Sequence, residues 1–287
     1  MFETALIALD HSAAQGPMLD CLTDLRDLGV KSVVLTHIVQ VGYAQGAGYG
    51  HEEALNDWLA ERAAPLREVG LDVVTDIRAA GQVATGILEA ATDHGADLIV
   101  IGSRGQNMMR GLFLGSVARE VVRLSGIPVR LEWIEINGED GAASCERACH
   151  AGLRRVLVAT DFSVQARAAE HAAAELGTKA QAVDLIHVAT VQEQERYTQW
   201  RAMAHAALEK IAEEINAAGG KPEVHLAQGK PSEAIARLAA ERDADLVIVG
   251  KHGQSWVESM VTGSTATNLC EIARRPVLVV PLESATG

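Results

Sequence analysis

Asp97-Leu98-Ile99-Val100-Ile101-Gly102-Ser103-Arg104-Gly105, followed after nine residues by Gly115-Ser116, is the stretch on which the fold turns. Its apolar run has the character of a strand buried on both faces, and it stops abruptly at a glycine. The loop then ends on a pair suited to starting a helix, where free N–H groups and the helix dipole favour an anion. The same spacing recurs at Asp245-Leu246-Val247-Ile248-Val249-Gly250-Lys251-His252-Gly253 and Gly263-Ser264, so both copies read G-x2-G-x9-G-S. Glycine here serves two ends, backbone at positive φ and room for a ligand to approach the main chain. The plain alternative is a tight βα turn before an ordinary capped helix.

Working outward, the rest of the chain also comes twice. Asp10 corresponds to Asp161 at an offset of 151 and His37 to His187 at 150, while Gly81 and Gly229, Gly102 and Gly250, and Pro128 and Pro276 all lie 148 apart. So small a drift marks one domain duplicated with few insertions. In the first copy, residues 4–10 and 32–39 read as strands. Between them a helix capped by Ser12 is expected to run through Met18, Leu19, Leu22, Leu25 and Leu28 to a stop at Gly29. Residues 42–50 form a glycine-rich loop, and residues 52–69 a helix that Pro65 kinks or starts afresh. Leu71–Ile77 alternates like an edge or half-exposed strand, and Gly81 leads a helix to His94. After the strand at 97–101, a helix from Ser116 ends at Gly126, and Pro128–Leu131 is the last strand. Alternating β and α elements predict an α/β, Rossmann-like fold: two tandem open parallel five-stranded sheets, order 3-2-1-4-5, with helices on both faces. The expected boundaries are residues 1–133 and 153–287 for the domains, with a glycine-rich linker at 134–152.

With 48% hydrophobic and 22% charged residues among 287, the chain has the composition of a globular protein with a buried core. A net charge of −13 argues against nucleic acid as a partner, and 3% aromatic residues argue against base-stacking platforms. Met1-Phe2-Glu3-Thr4 brings no basic region before the first apolar run, and no run reaches the length of a membrane span. Four scattered cysteines, Cys21, Cys145, Cys149 and Cys270, do not make a disulfide scaffold. A cytoplasmic, reduced protein is expected.

Asp10 and Asp161 end the first strands. In the predicted order, strands one and four are neighbours whose connections leave in opposite directions, which makes a ligand-binding crevice at the switch point. The aspartate and the glycine loop face each other there. The aspartate either accepts a hydrogen bond from a base or ribose, or caps the following helix. His37 and His187 are read as packed, hydrogen-bonded residues, since no partner ligand for a metal is evident. Cys145-x3-Cys149-His150 is half a zinc pattern without its second pair, so no metal is expected. Cys21 and Cys270 are read as core residues on helices. There is no G-x4-G-K-[ST], no G-x-G-x-x-G in the first turn, no nucleophile elbow and no acidic cluster for two metals.

Taken together, these motifs resemble the universal stress protein family in tandem form. The resemblance rests on Asp10 and Asp161, His37-Ile38 and His187-Val188, the two G-x2-G-x9-G-S signatures and the final strands opening with Pro, and it covers both halves of the chain. It implies a stress-response regulator that binds adenine nucleotide, ATP or AMP/ADP with Mg2+, in one or both domains. By that resemblance, adenine lies near Asp10 with Ile38 and near Asp161 with Val188, and Ala8, Leu9, Ala159 and Thr160 belong to the nucleotide-binding set. Ile101 and Gly102, with Val249 and Gly250, meet ribose. Phosphates rest on Gly105, Gly115, Ser116 and Val117, and on Gly253, Gly263, Ser264 and Thr265, with Arg104, Arg110, Lys251 and His252 as either phosphate neighbours or solvated loop charges. Trp256 and Glu258 bring bulk and negative charge into the second loop. The resemblance also implies an intramolecular pseudo-dimer, a possible homodimer and an unidentified protein partner. No catalytic residue is expected; slow ATP hydrolysis, phosphotransfer and a nucleotide-independent scaffold are the alternatives.

Overall fold

The computed structural model describes residues 1–12, 15–20, 22, 25–41, 52–103, 114–137, 142–144, 153–196, 198–254 and 262–282. The chain divides into two compact units, residues 2–149 and 150–287.

In the first unit the elements run β1 (Thr4–Ala8), α1 (Gln15–Asp20), β2 (Ser32–Gln40), α2 (Glu52–Glu68), β3 (Asp72–Ala80), α3 (Val83–Asp93), β4 (Leu98–Gly102), α4 (Ser116–Leu124) and β5 (Val129–Glu132). Within the unit the five strands pair in the order β5-β4-β1-β2-β3, all parallel. Continuous apolar runs occupy the central places: Leu98, Ile99, Val100 and Ile101 of β4 are all buried. β3, outermost, is only partly covered: of Asp72-Val73-Val74-Thr75, Val73 is buried and Val74 exposed.

The second unit repeats the plan with β8 (Arg155–Ala159), α5 (Arg167–Gly177), β9 (Ala182–Ala189), α6 (Val191–Arg196), α7 (Trp200–Ala217), β10 (Pro222–Gln228), α8 (Pro231–Glu241), β11 (Leu246–Gly250), α9 (Ser264–Ile272) and β12 (Val277–Val280). Its order is β12-β11-β8-β9-β10, again parallel. α5 packs on α7 and α8 on α9, so the helices fall into two pairs. In each unit the first and fourth strands are neighbours in matching register, Ala8 beside Ile101 and Ala159 beside Val249. Carried on, that register brings the aspartate after one strand level with the residue just past the glycine that ends the other.

Three local expectations change. α1 ends at Asp20 rather than near Gly29, and Leu25–Gly29 is a turn. Gly16 and Pro17 are poor helix formers, and Leu22, Leu25 and Leu28 are buried all the same, the last two within the turn. α2 continues through Pro65 as one helix. Finally, the expected linker contains a small antiparallel pair, β6 (Glu135–Asn137) with β7 (Ala142–Ser144). Three residues a side are too few for a period of two to be read from sequence.

Candidate functional site

The second unit shows the clearer geometry. Asp161 leaves β8 and its carboxylate is held on both oxygens: Oδ1 accepts the Ser163 N–H at 3.1 Å and Oδ2 the Gln254 N–H at 2.6 Å. Gln254 Nε2 also donates to the Asp161 main-chain carbonyl. The glycine loop after β11 therefore does face the aspartate after β8. Ser163 caps the short 3-10 turn Val164–Ala166 through Ala166 N–H at 3.2 Å, so capping falls to Ser163 and not to Asp161.

Phe162, next along, is held at φ 61°, a conformation costly for a bulky residue. Its N–H donates to Thr160 Oγ1 at 2.9 Å, and that hydroxyl in turn donates to Glu170 Oε1 at 2.5 Å. Burial pushes the Glu170 carboxyl above the usual carboxylate range, with the Thr160 hydrogen bond opposing it. The Phe162 ring stacks on His187, centroids 4.4 Å apart, and His187 Nδ1 lies 2.9 Å from the Thr160 carbonyl. A strained turn is thus braced from below by a ring and from behind by a hydroxyl.

The loop closes identically in both units. Gly263 N–H donates to Lys251 O at 2.7 Å and Gly115 N–H to Ser103 O at 2.8 Å. Gly263 and Gly115 are the N-caps of α9 and α4, and neither has a side-chain cap. Ser116 and Ser264 are exposed at the first helical position, with Val117 and Thr265 half-buried behind them. Their N–H groups are the kind of uncapped donors that hold an anion.

The glycines' role differs in part from expectation. Gly115 and Gly263 have φ of −64° and −68°, and Gly250 and Gly253 also lie outside the left-handed region. What they supply is close approach. A Cβ on Gly250 would sit 3.1 Å from His252 O and 3.2 Å from Gln165 O, and one on Gly263 would sit 3.2 Å from Lys251 O. On Gly253 it would collide with Asp161 Oδ2.

In the first unit Asp10 Oδ1 accepts both the N–H and the hydroxyl of Ser12, at 3.1 and 2.5 Å. Ser12, expected as the cap of α1, thus bonds Asp10, and the described part of α1 begins at Gln15. His37 Nδ1 lies 2.9 Å from Leu9 O, so both strand-two histidines are hydrogen-bonded to the first strand, as anticipated. His11 stacks on Trp58 at 4.1 Å, His37 meets both rings edge-on, and the Arg62 guanidinium lies 4.7 Å from the Trp58 ring centroid. Desolvation, then the charges of His37 and Arg62, hold His11 below the usual histidine range, with Asp10 opposing.

The strand-end residues fall together as the topology requires. Leu9, Ile38 and Ile101 are buried around one strand end and Ala159, Thr160, Val188 and Val249 around the other, with Ala8 and Gly102 half-covered. Gly86 of α3 packs so closely on Ile38 that a Cβ would lie 2.9 Å from Ile38 Cγ2. His252 is half-exposed and Lys251 buried. Arg104, Gly105, Arg110, Trp256, Glu258, Cys21 and the Cys145-Cys149-His150 group lie outside the described residues. Gln254, Phe162, Glu170, His11 and Trp58 were not singled out from sequence. None stands in a recognisable motif, and only the three-dimensional turn reveals their part.

Asp184, Glu223 and His225 bring ligand atoms within 4.8 Å of one another. Arg155 and Arg242 already donate to the Asp184 carboxylate, which makes the cluster an ion-pair centre and a poor seat for a cation.

Comparison with known proteins agrees with this architecture. The model of the universal stress protein family matches residues 1–131 and again 152–281. A universal stress protein of Synechocystis is 25% identical over 260 residues, 88% of this chain and 79% of that protein. One from Mycolicibacterium smegmatis is 27% identical over 223 residues, 74% of this chain and 69% of that protein. The crystal structure of a universal stress protein from Archaeoglobus fulgidus superposes with a TM-score of 0.71 at 24% identity, covering 97% of this chain and 96% of that one. No described helix is long and apolar enough to cross a membrane. With its family pattern matched in each half, the chain belongs to the universal stress protein family.

Proposed function

We propose that the chain is a regulatory stress-response protein that holds an adenine nucleotide, ATP or its AMP/ADP relatives with Mg2+, in one or both units. The observation that carries this reading is the shared loop closure, Gly115 N–H to Ser103 O and Gly263 N–H to Lys251 O. It returns the chain so that an uncapped helix start is delivered beside the ends of the first and fourth strands. Phosphates would take the N–H groups of residues 116–117 and 264–265, just past the two glycines whose own N–H groups close the loop, where the dipole adds to the hydrogen bonds. Ribose would lie on Ile101-Gly102 and Val249-Gly250. The base would meet Asp10 with Ile38, and Asp161 with Val188. In this arrangement the two aspartates stand at the base end, remote from a terminal phosphate, so holding is favoured over hydrolysis. A protein partner would read the bound state.

Calorimetry tests the reading. Wild type should take up Mg·ATP, and Gly115→Val and Gly263→Val should each remove the binding due to their own unit. No heat from wild type at millimolar Mg·ATP would refute it. Phosphate release at saturating ATP would decide the ATPase alternative.

A further inference from the structure

We propose that Gln254 gates the second unit: it holds Asp161 against the glycine loop, and a ligand that seeks Oδ2 competes with the Gln254 N–H for it. The inference rests on the nucleotide reading above. Asp161 is clasped at two points, Oδ2 by the Gln254 main-chain N–H at 2.6 Å and the main-chain carbonyl by the Gln254 carboxamide. Its other oxygen, Oδ1, takes the Ser163 N–H. A hydrogen bond to an ionised carboxylate is among the stronger neutral-donor bonds a loop can make.

The two sides of the clasp are not equally free to move. Asp161 stands in a braced turn, with Phe162 N–H on the Thr160 hydroxyl, that hydroxyl on Glu170, and the Phe162 ring on His187. Gln254 is exposed. Opening therefore falls to Gln254. Gly253 makes the closed arrangement possible, because a side chain there would strike Asp161 Oδ2. The second glycine of the signature thus acquires a role of its own in this unit, which is to let the loop close on the aspartate. An ionised carboxylate only accepts, so the incoming group must bring an N–H or O–H to replace the one that Gln254 withdraws. That suits the amino group of a base or a sugar hydroxyl.

The test uses the full chain carrying Gly115→Val, so that Mg·ATP binding is read from the second unit. Adding Gln254→Pro deletes the N–H donor and should tighten binding by about tenfold, the worth of one such bond. Gln254→Ala keeps the N–H and loses only the carboxamide, and should give a smaller gain. Equal affinities across the three proteins overturn the gate and leave the nucleotide reading standing. Binding by wild type but by none of the three places ATP in the first unit and overturns the gate alone. No binding by any protein, wild type included, overturns both. Amide hydrogen exchange gives a readout independent of how the proline variant folds. In wild type the Gln254 N–H should be protected without nucleotide and lose protection as Mg·ATP saturates the second unit; protection that holds or rises overturns the gate.

Discussion

Asp184 Oδ2 accepts a hydrogen bond from Arg155 Nη1 at 2.9 Å, joining β9 to the neighbouring β8. His225 Nε2 at 2.8 Å and Arg242 Nε at 3.1 Å converge on the other oxygen. The carboxylate is completely buried, and burial alone would push it up. The hydrogen bonds from His225, Arg155 and Arg242 outweigh that and hold it at about 2, against an ordinary 3.8. A depressed acid contributes stability that is complete above its unfolded value and lost as pH falls toward the folded one. The window is therefore pH 4 down to about 2, and the contribution at stake is about 2 kcal/mol. Asp184→Asn should be less stable than wild type in urea at pH 7, and the gap should narrow on acidification through this window. A gap that stays constant with pH would show that the cluster does not carry the ionic term.

Gly250→Ala is expected to lower stability by about 1–3 kcal/mol, the range for forcing extra volume into a packed site. The three atoms its Cβ would meet within 3.4 Å, His252 O, Gln165 O and Ala166 Cα, all belong to backbone and cannot swing aside. Gly81→Ala makes the control: nothing lies within 4 Å of its added Cβ, and its φ is not in the left-handed region. It should be neutral or slightly stabilising. Thermal unfolding distinguishes the pair, and equal melting temperatures would refute the packing argument.

The contrast between these glycines shows what could be read from sequence. The strand order was legible because apolar runs, glycine stops and a repeated spacing leave few topologies open. The loop glycines were legible as a pattern, but their purpose was not. Their neighbours, Gln165 for Gly250 and Asp161 for Gly253, lie about 90 residues away in the chain. α1 was overread because Leu22, Leu25 and Leu28 satisfy helical spacing while lying in or beside a turn. Asp184 sits in the run Ala182-Val183-Asp184-Leu185-Ile186 and gives no hint that Arg155, His225 and Arg242 await it. Gln254 looks like any polar loop residue until the fold sets it against Asp161.

Cys270 of α9 is buried, and burial, with the Glu271 charge adding to it, pushes the thiol up to about 12. At pH 8 its thiolate fraction is on the order of 1 in 10,000, and access is closed as well. A maleimide should therefore modify Cys270 only after denaturant is added, as read from the mass of its peptide. Native labelling at the rate of a free peptide thiol would contradict the packing of α9.

The first unit's His11 offers a signed electrostatic test. Its lowered pKa follows from desolvation first, then from the charges of His37 and Arg62, while Asp10 pulls the other way. The folded protein consequently takes up this proton later than the unfolded chain does. The contribution is in place above about pH 6.5 and declines as pH falls below it. The His11 ring resonance, which the stacked Trp58 should displace from its ordinary position, should titrate with a midpoint below 6.5. Arg62→Gln removes a repelling cation and should raise that midpoint; Asp10→Asn removes the attracting carboxylate and should lower it. Opposite shifts in the two variants are what the arrangement demands. A common direction would mean that the His11–Trp58 stack, and not the surrounding charge, sets the titration.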